Sequence, residues 1–360
     1  MGRLTRAQLQ GRNRAKVLTA AQAEFAERGF RDAKIDVIAE RAGLTRGAVY
    51  ATFPGKRALY FAVLAHLAER ASAPPPPVPS RTVSQALGAL AHAWVARLPP
   101  PEAGPGQGAA RLGTALIPEV LADARIRRSF TELMKLDALL LALALEHLRS
   151  PEDGPARLVR LAGTVLTTLR GASQLAAAAP GFVEPFDVVA ACEQLAGLAL
   201  DDRWAPPAAG QPALSVHEPW SPPPAIDLVR GEPARFDGDG VVAILGLDRI
   251  ASAEEAVRTG APVTVVLVTG DPGELAPLAR LVIAEFCGCL RQALSPEAWS
   301  PPRVVCDEGG SLAAAAGVLA VSDETEIAVR VEGGLVVARA AGRGACHAVA
   351  AARSSSPRSG

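Results

Sequence analysis

The sequence predicts a multidomain chain: two all-α bodies, near residues 1–72 and 81–203, followed by an α/β body over 226–351. Three observations predict it. Proline-rich breaks divide 360 residues that are too many for one small domain. Apolar residues recur at helical spacing through the first two parts, then give way to short β-branched runs in the third. Nearly half of the residues, 49%, are hydrophobic, so each part can bury a core. The first break is Pro74-Pro75-Pro76-Pro77-Val78-Pro79, which stops any helix and reads as a stiff extended spacer. The second is a linker over 204–225, with seven prolines between Ala205 and Pro224. The tail, 352–360, ends in Ser354-Ser355-Ser356-Pro357-Arg358-Ser359-Gly360 and reads as disordered.

Charge is balanced overall, with 37 basic and 37 acidic residues, but not locally. Residues 1–70 hold 13 Lys/Arg against 6 Asp/Glu, so a basic head precedes an acidic remainder. That asymmetry points to an anionic partner at the head only. The longest apolar stretch, around Leu136 to Leu145, is too short to span a bilayer. The N-terminus is polar and lacks the apolar core of a signal peptide. Five cysteines (Cys192, Cys287, Cys289, Cys306 and Cys346) are too sparse for a disulfide scaffold. A cytoplasmic protein with no membrane partner is expected.

In the head, Leu18, Ala21 and Phe25 recur on one helical face, and Gly29 then ends the helix with Phe30 packing back on its last turn. A second short helix, about 34–41, carries Ile35, Ile38 and Ala39 and ends at Ala42-Gly43, where glycine permits a sharp turn. Thr45 is placed to cap a third helix, Arg46–Thr52. Pro54 and Gly55 stop it, and Lys56 opens a fourth helix with Leu59, Val63 and Leu67 on its inner face. Two short helices around a glycine turn match a DNA-reading helix-turn-helix. Gly47 and Ala48 let the third helix approach the floor of the major groove. Arg46 can donate a forked pair of hydrogen bonds to guanine, worth roughly 1–3 kcal/mol of discrimination. Thr45 and Tyr50 carry hydroxyls for phosphate or bases, and Lys56 sits at a helix N-terminus that favours phosphate.

Ala20-Ala21, then Phe25-Ala26-Glu27-Arg28-Gly29-Phe30, then Ile38 through Tyr50, then Phe53-Pro54-Gly55-Lys56-Arg57-Ala58-Leu59-Tyr60 resemble the tetracycline-repressor (TetR) family in unbroken register over about 13–64. The resemblance implies a homodimer, a helical ligand-binding and dimerisation domain behind the head, and repression of a double-stranded, inverted-repeat operator relieved by a small-molecule effector. Two positions depart from the family pattern. Lys34 stands where a threonine commonly opens the second helix, and Thr52 where a histidine commonly precedes the phenylalanine. Lys34 can still meet phosphate as a point charge.

The second body reads as helices near 82–98, 108–122, 124–149, 154–177 and 184–203. Its last two carry apolar faces, Leu158, Leu161, Val165 and Leu169 on one and Val188, Val189, Cys192, Leu195 and Leu198 on the other. In the family the final two helices build a four-helix bundle with the partner subunit. An effector pocket would lie among the remaining helices, with His92, Trp94, Arg111, Phe130, Met134 and Asp137 as candidates and none preferred.

In the third body, Val241–Leu245, Val263–Val268, Val304–Cys306, Glu326–Val331 and Leu335–Ala338 read as strands, the last two joined through Gly333-Gly334. A helix over 273–294 follows the second strand. From Val304 to Gly342 the pattern is similar to the second half of thioredoxin-like domains, nearest to peroxiredoxins and to the C-terminal domain of flavin-dependent aromatic hydroxylases. The chemistry of those domains does not carry over. Where a reactive cysteine would open a helix, the chain has Thr269-Gly270-Asp271-Pro272-Gly273-Glu274. Ala320-Val321-Ser322-Asp323-Glu324 replaces the usual proline before the hairpin. Cys287 and Cys289 fall deep in a helix, pointing to different faces, and read as buried structural thiols. Cys346-His347 has no further ligand at metal spacing, and Gly270–Gly273 lacks a phosphate-loop ending. No enzyme activity, cofactor or metal is expected. A thioredoxin-like oxidoreductase or redox sensor fused to a DNA-binding head, or a regulator whose last domain is a protein-docking module, is the alternative.

Overall fold

The computed structural model describes residues 5–71, 80–98, 112–149, 157–205, 207, 212–294 and 299–352. The Pro74–Pro79 stretch, Arg111 and the tail from 353 onward lie outside the described residues. By contacts the chain forms two compact units that do not follow the three bodies in order. One takes Met1–Phe130, Arg160–Leu200 and Asp271–Ser295; the other takes Thr131–Val159, Asp201–Gly270 and Pro296–Gly360.

The first unit opens with α1 (Arg6–Asp32), capped by Thr5, whose hydroxyl accepts the Gln8 N–H while the Gln8 side chain accepts the Thr5 N–H. Gly29, at φ 75°, breaks the helical path inside it, at the position where the sequence ends the helix. Then come α2 (Ile35–Ala42), α3 (Arg46–Tyr50) and α4 (Lys56–Arg70). Phe25 meets Tyr60 edge-on at 5.4 Å, and Phe30 lies 4.9 Å from the same ring. The Tyr60 hydroxyl donates to the Leu112 carbonyl.

Helices α5 (Val83–Val95), α6 (Leu116–Leu121), α7 (Ala124–His147), α8 (Val159–Ala178) and α9 (Pro185–Leu195) follow, with α9 packed on α5. The unit boundary falls inside α7, after Phe130. Trp94 Nε1 donates to Ser173 Oγ at 2.8 Å, and the Arg170 guanidinium lies 4.8 Å from the Trp94 ring. Leu161, Val165, Leu169, Val189 and Cys192, read from sequence as a dimer face, are buried within the single chain. Of that expected face Leu198 is left in solvent, together with Leu175, Phe182 and Phe186.

The last member of this unit comes from far along the chain. It is α11 (Leu275–Ala293), which packs against α4 and α5. Leu275, Leu278, Leu281, Val282, Ile283, Phe286, Cys287, Cys289 and Leu290 are all buried. Only a narrow polar side, with Arg280, Glu285 and Arg291 half-buried, is left, and so wide an apolar face marks a core helix.

The second unit is built on a six-stranded mixed sheet of order β1-β8-β7-β4-β5-β6. Its strands are β1 (Leu214–Pro219), β4 (Gly240–Gly246), β5 (Val263–Val268), β6 (Arg303–Cys306), β7 (Glu326–Glu332) and β8 (Leu335–Ala341); β2 (Ile226–Asp227) and β3 (Glu232–Pro233) form a separate ladder. β4, β5 and β6 run parallel, and β7, β8 and β1 add on antiparallel. The two central parallel strands are buried on both faces, which is why they read as unbroken apolar runs. Trp220, Leu312, Ala313, Ala316 and Val318 pack on the face made by Val242, Ile244, Val266, Val268 and Val305. Short helices α10 (Ala253–Val257), α12 (Ser311–Ala315) and α13 (Ala345–Ala351) complete the unit. Asp227, buried, accepts N–H bonds from Val229 at 3.1 Å and Val304 at 3.2 Å and so ties the β2 segment to β6.

The stretch read as linker over 204–225 contributes β1, which the density of prolines concealed. β1 is an edge strand, where a missing donor at Pro219 costs no ladder bond on its outer side.

Removing the Phe286 ring should cost about 3–5 kcal/mol, as for other fully buried aromatics. Urea unfolding of full-length Phe286→Ala followed by circular dichroism measures it. A loss below about 1 kcal/mol would mean that α11 is not part of this core.

Candidate nucleic-acid interface

The inner face of α2 is Ile35, Ile38, Ala39 and Ala42, all buried. Its C-terminus is closed by Gly43, which takes φ 66° and ψ 37°, a left-handed conformation that a side chain would strain. Gly43 N–H donates to the Glu40 carbonyl at 3.0 Å and Leu44 N–H to the Ala39 carbonyl at 3.0 Å. The chain therefore turns within two residues into α3. Thr45 Oγ1 accepts the Ala48 N–H at 3.2 Å and caps that helix. Val49, 1% exposed, and Phe53, 2% exposed, anchor α3 to the core at its middle and its end.

With Val49 turned inward, Thr45, Arg46, Gly47 and Tyr50 are left exposed and Ala48 half-buried, so the sequence-predicted residues share one outward surface. The regular helix is shorter than Arg46–Thr52 and ends at Tyr50. Thr52, half-buried, donates its hydroxyl back to the Ala48 carbonyl at 3.3 Å.

Arg46 Nη1 lies 3.3 Å from Asp36 Oδ1 of α2, and its guanidinium is 5.5 Å from the Tyr50 ring centroid. The hydrogen bond with Tyr50, then the charge of Asp36, push the Arg46 pKa further up, so it is a cation at every working pH. The pair is solvent-exposed and weak, so Arg46 can exchange Asp36 for another acceptor at little cost.

Lys34 is the exposed residue before α2 and has no side-chain cap to offer the helix. Lys56 Nζ donates to the Arg31 carbonyl at 2.8 Å and lies 4.9 Å from the Phe30 ring. One of its three donors therefore holds the start of α4 to the end of α1, and two remain for a phosphate. Burial pushes its pKa down from the ordinary lysine value.

One residue of this framework escapes sequence reasoning. Glu24 is fully buried in α1 and accepts the Lys34 N–H at 3.3 Å, tying the residue before α2 to α1. It also pairs with Arg28 at 3.3 Å and Arg41 at 3.4 Å, and Arg41 chelates Glu27 at 2.6 and 2.8 Å. The Glu24–Arg28 spacing of four residues is visible in sequence, but nothing there says that the carboxylate is inside.

Of the pocket candidates, His92 is exposed, Phe130 and Met134 are half-buried, Asp137 is buried, and Trp94 is committed to Ser173 and Arg170.

A capped three-helix core with a short outward helix after a glycine turn defines a helix-turn-helix domain. Residues 17–63 match the family described as "Bacterial regulatory proteins, tetR family", so the N-terminal domain is similar to that family's helix-turn-helix. Over 65 residues, 18% of its length, it is 45% identical to each of two regulators of Pseudomonas putida, "HTH-type transcriptional regulator SrpR" and "Uncharacterized HTH-type transcriptional regulator TtgW". The match spans 30% of the first relative and 48% of the second.

Among solved structures, a TetR transcriptional regulator from Rhodococcus sp. RHA1 is 16% identical, at TM-score 0.33, over 52% of this chain and 94% of that one. The fatty acid degradation regulator FadR from Bacillus halodurans is 18% identical, at TM-score 0.34, over 53% and 97%. At these scores the likeness to whole chains is weak, and the likeness to the family rests on residues 17–63. No helix among the described residues is long and apolar enough to cross a membrane.

Replacing Glu24 with Ala would leave the Lys34 N–H without its acceptor and strip Arg28 and Arg41 of a carboxylate. A loss of about 1–3 kcal/mol is expected, measured by urea unfolding of the full chain. A change within about 0.5 kcal/mol would show that water serves these donors equally well.

Proposed function

We propose that the protein is a DNA-binding transcriptional repressor that reads an inverted-repeat operator as a homodimer and is released by a small-molecule effector. The observation that carries the reading is the surface of α3. There Arg46 stands exposed and able to fork onto a guanine, Gly47 and Ala48 keep the helix slim enough for the major groove, and Thr45 and Tyr50 flank them with hydroxyls. Lys34 and the two remaining donors of Lys56 serve phosphates on either side, and Thr52 braces the helix end. The basic surplus of residues 1–70 supports the same assignment. The second subunit docks on the outer faces of α8 and α9 and the turn between them, where Phe182 is 71% and Phe186 75% exposed. Effector binding falls to the helices between α5 and α9.

The sheet-bearing half, with the β7–β8 hairpin antiparallel to the first parallel strand and α13 after it, is read here as an accessory module rather than a redox enzyme. Burial pushes the thiols of Cys192 and Cys289 up to about 11 and raises that of Cys346 as well, the reverse of what a nucleophilic cysteine needs.

The first test is genomic fragment selection at fixed salt with the wild type and Arg46→Ala. The wild type should enrich an inverted repeat. The variant should bind it about 5- to 150-fold more weakly, with preference relaxed at one symmetric base position. Unchanged specificity in the variant would remove Arg46 as the base reader.

Thiol labelling tests the thioredoxin-like alternative. At pH 8 Cys306, half-buried, should label first, and the other four, all buried, only on unfolding. A thiol that reacts faster than free glutathione would restore the redox reading.

A further inference from the structure

A segment from late in the chain supplies more to the DNA-reading head than a tethered neighbour would. Arg57 is the second residue of α4, three positions after Pro54. Its guanidinium forks onto Glu274, with Nε to Oε1 at 2.7 Å and Nη2 to Oε2 at 3.0 Å, and also reaches Asp123 Oδ2 at 3.1 Å. Asp123 in turn caps α7 by accepting the Arg125 N–H at 2.9 Å, and Arg125 Nη1 pairs with Asp271 Oδ2 at 3.2 Å. Acids and bases thus alternate from Asp271 through Arg125 and Asp123 to Arg57 and Glu274, around the first turn of α4.

At the far end of α4, Glu69 is chelated by Arg280 of α11, with both contacts at 2.7 Å. Arg57 and Glu274 are 25% and 19% exposed and geometrically bidentate, a class of pair stronger than a surface contact.

The lead-in to α11 also touches the head sterically. A Cβ on Gly273 would stand 2.8 Å from Pro54 Cγ and 3.0 Å from its Cδ. A proline ring does not swing aside as a lysine tip would. It follows Phe53, the anchor at the end of α3, so a methyl group at 273 must push on the joint between α3 and α4. Glycine at this position admits a close approach that another residue would forbid.

We propose that residues 271–280 are a positioning element of the DNA-reading head, in which Gly273 and Glu274 set where the α3–α4 joint stands and Arg280 fixes the other end of α4. The proposal rests on the DNA-reading assignment. The separation of two reading heads must match one turn of DNA or a multiple of it, so a displacement of an ångström or two at this joint changes which operator spacing fits.

The test uses full-length protein and the variants Gly273→Val, Glu274→Gln, Arg280→Glu, and Arg280→Glu combined with Glu69→Arg. Affinity is measured for the selected inverted repeat and for repeats whose spacer is one base pair longer or shorter. Gly273→Val and Glu274→Gln should alter the ratio of affinities between spacers on the order of tenfold, and the charge-swapped pair should recover what Arg280→Glu loses. An equal fall on every spacer would overturn the proposal, because a merely destabilised protein loses active fraction without changing preference. Amide hydrogen exchange is followed in parallel. Glu274→Gln should speed exchange at the start of α4 and leave α2 unchanged, and unaltered exchange there would overturn the proposal on its own. If the wild type selects no inverted repeat, the DNA-reading assignment fails, and exchange still decides whether α11 holds α4.

Discussion

Eight consecutive residues of α4, Ala58 to Ala65, are shut away from water. An amphipathic helix needs one partner, but a helix buried over every face of two turns needs partners all round. α1 supplies one side through Phe25, whose ring meets Tyr60, and α11 supplies another. The head therefore cannot be a free-standing three-helix domain hung on a tether. Its last helix is a core element of a larger unit, and the chain must travel some two hundred residues before it delivers the helix that completes that core.

This constraint explains why the compact units do not follow the proline breaks. The strand β5 leads into α11, yet α11 packs with helices from the first hundred residues. Proline-rich composition marks where a chain is extended; it does not mark where contacts stop. The polar contacts obey the same logic. Arg57 and Glu69, on α4, would be ordinary surface charges in an isolated head, and each is instead chelated by a residue of α11 or of its lead-in. Stability of the head and integrity of α11 are thus one quantity, because removing α11 uncovers apolar side chains and leaves both ion pairs without partners.

Local structure was legible wherever its cause was local. The Gly43 turn, the Thr45 cap and the start of α4 after Gly55 stand where the residues put them, since each depends on a backbone conformation or a cap within four residues. The buried strands β4 and β5 were legible for the same reason, being short runs rich in Val and Ile. What stayed hidden depends on distant pairing. The inner face expected for α4 was Leu59, Val63 and Leu67, one stripe, because nothing in that segment announces a second partner. The apolar faces of α8 and α9 looked like a subunit interface because periodicity shows that a face is buried and not by what. β1 was lost among prolines, since a strand paired on one side tolerates them. Glu24, inside the protein and accepting the Lys34 N–H, depended on a fold that brings α1 beside the start of α2.

The way in which the reading surface is held follows from these contacts. Two inward side chains anchor α3, Val49 within the helix and Phe53 just past its end. Phe53 is followed by Pro54, and Pro54 by Gly55 and the first turn of α4, so α3 has no freedom that α4 lacks. The position of α4 is in turn fixed by packing on α1 and α11 and by charges at both of its ends. A surface that must match the spacing of a DNA groove gains accuracy from such a rigid line of contacts, because packed helices move between discrete arrangements and do not bend continuously. The same rigidity makes any displacement of α11 a displacement of Arg46, with no contact between the two required.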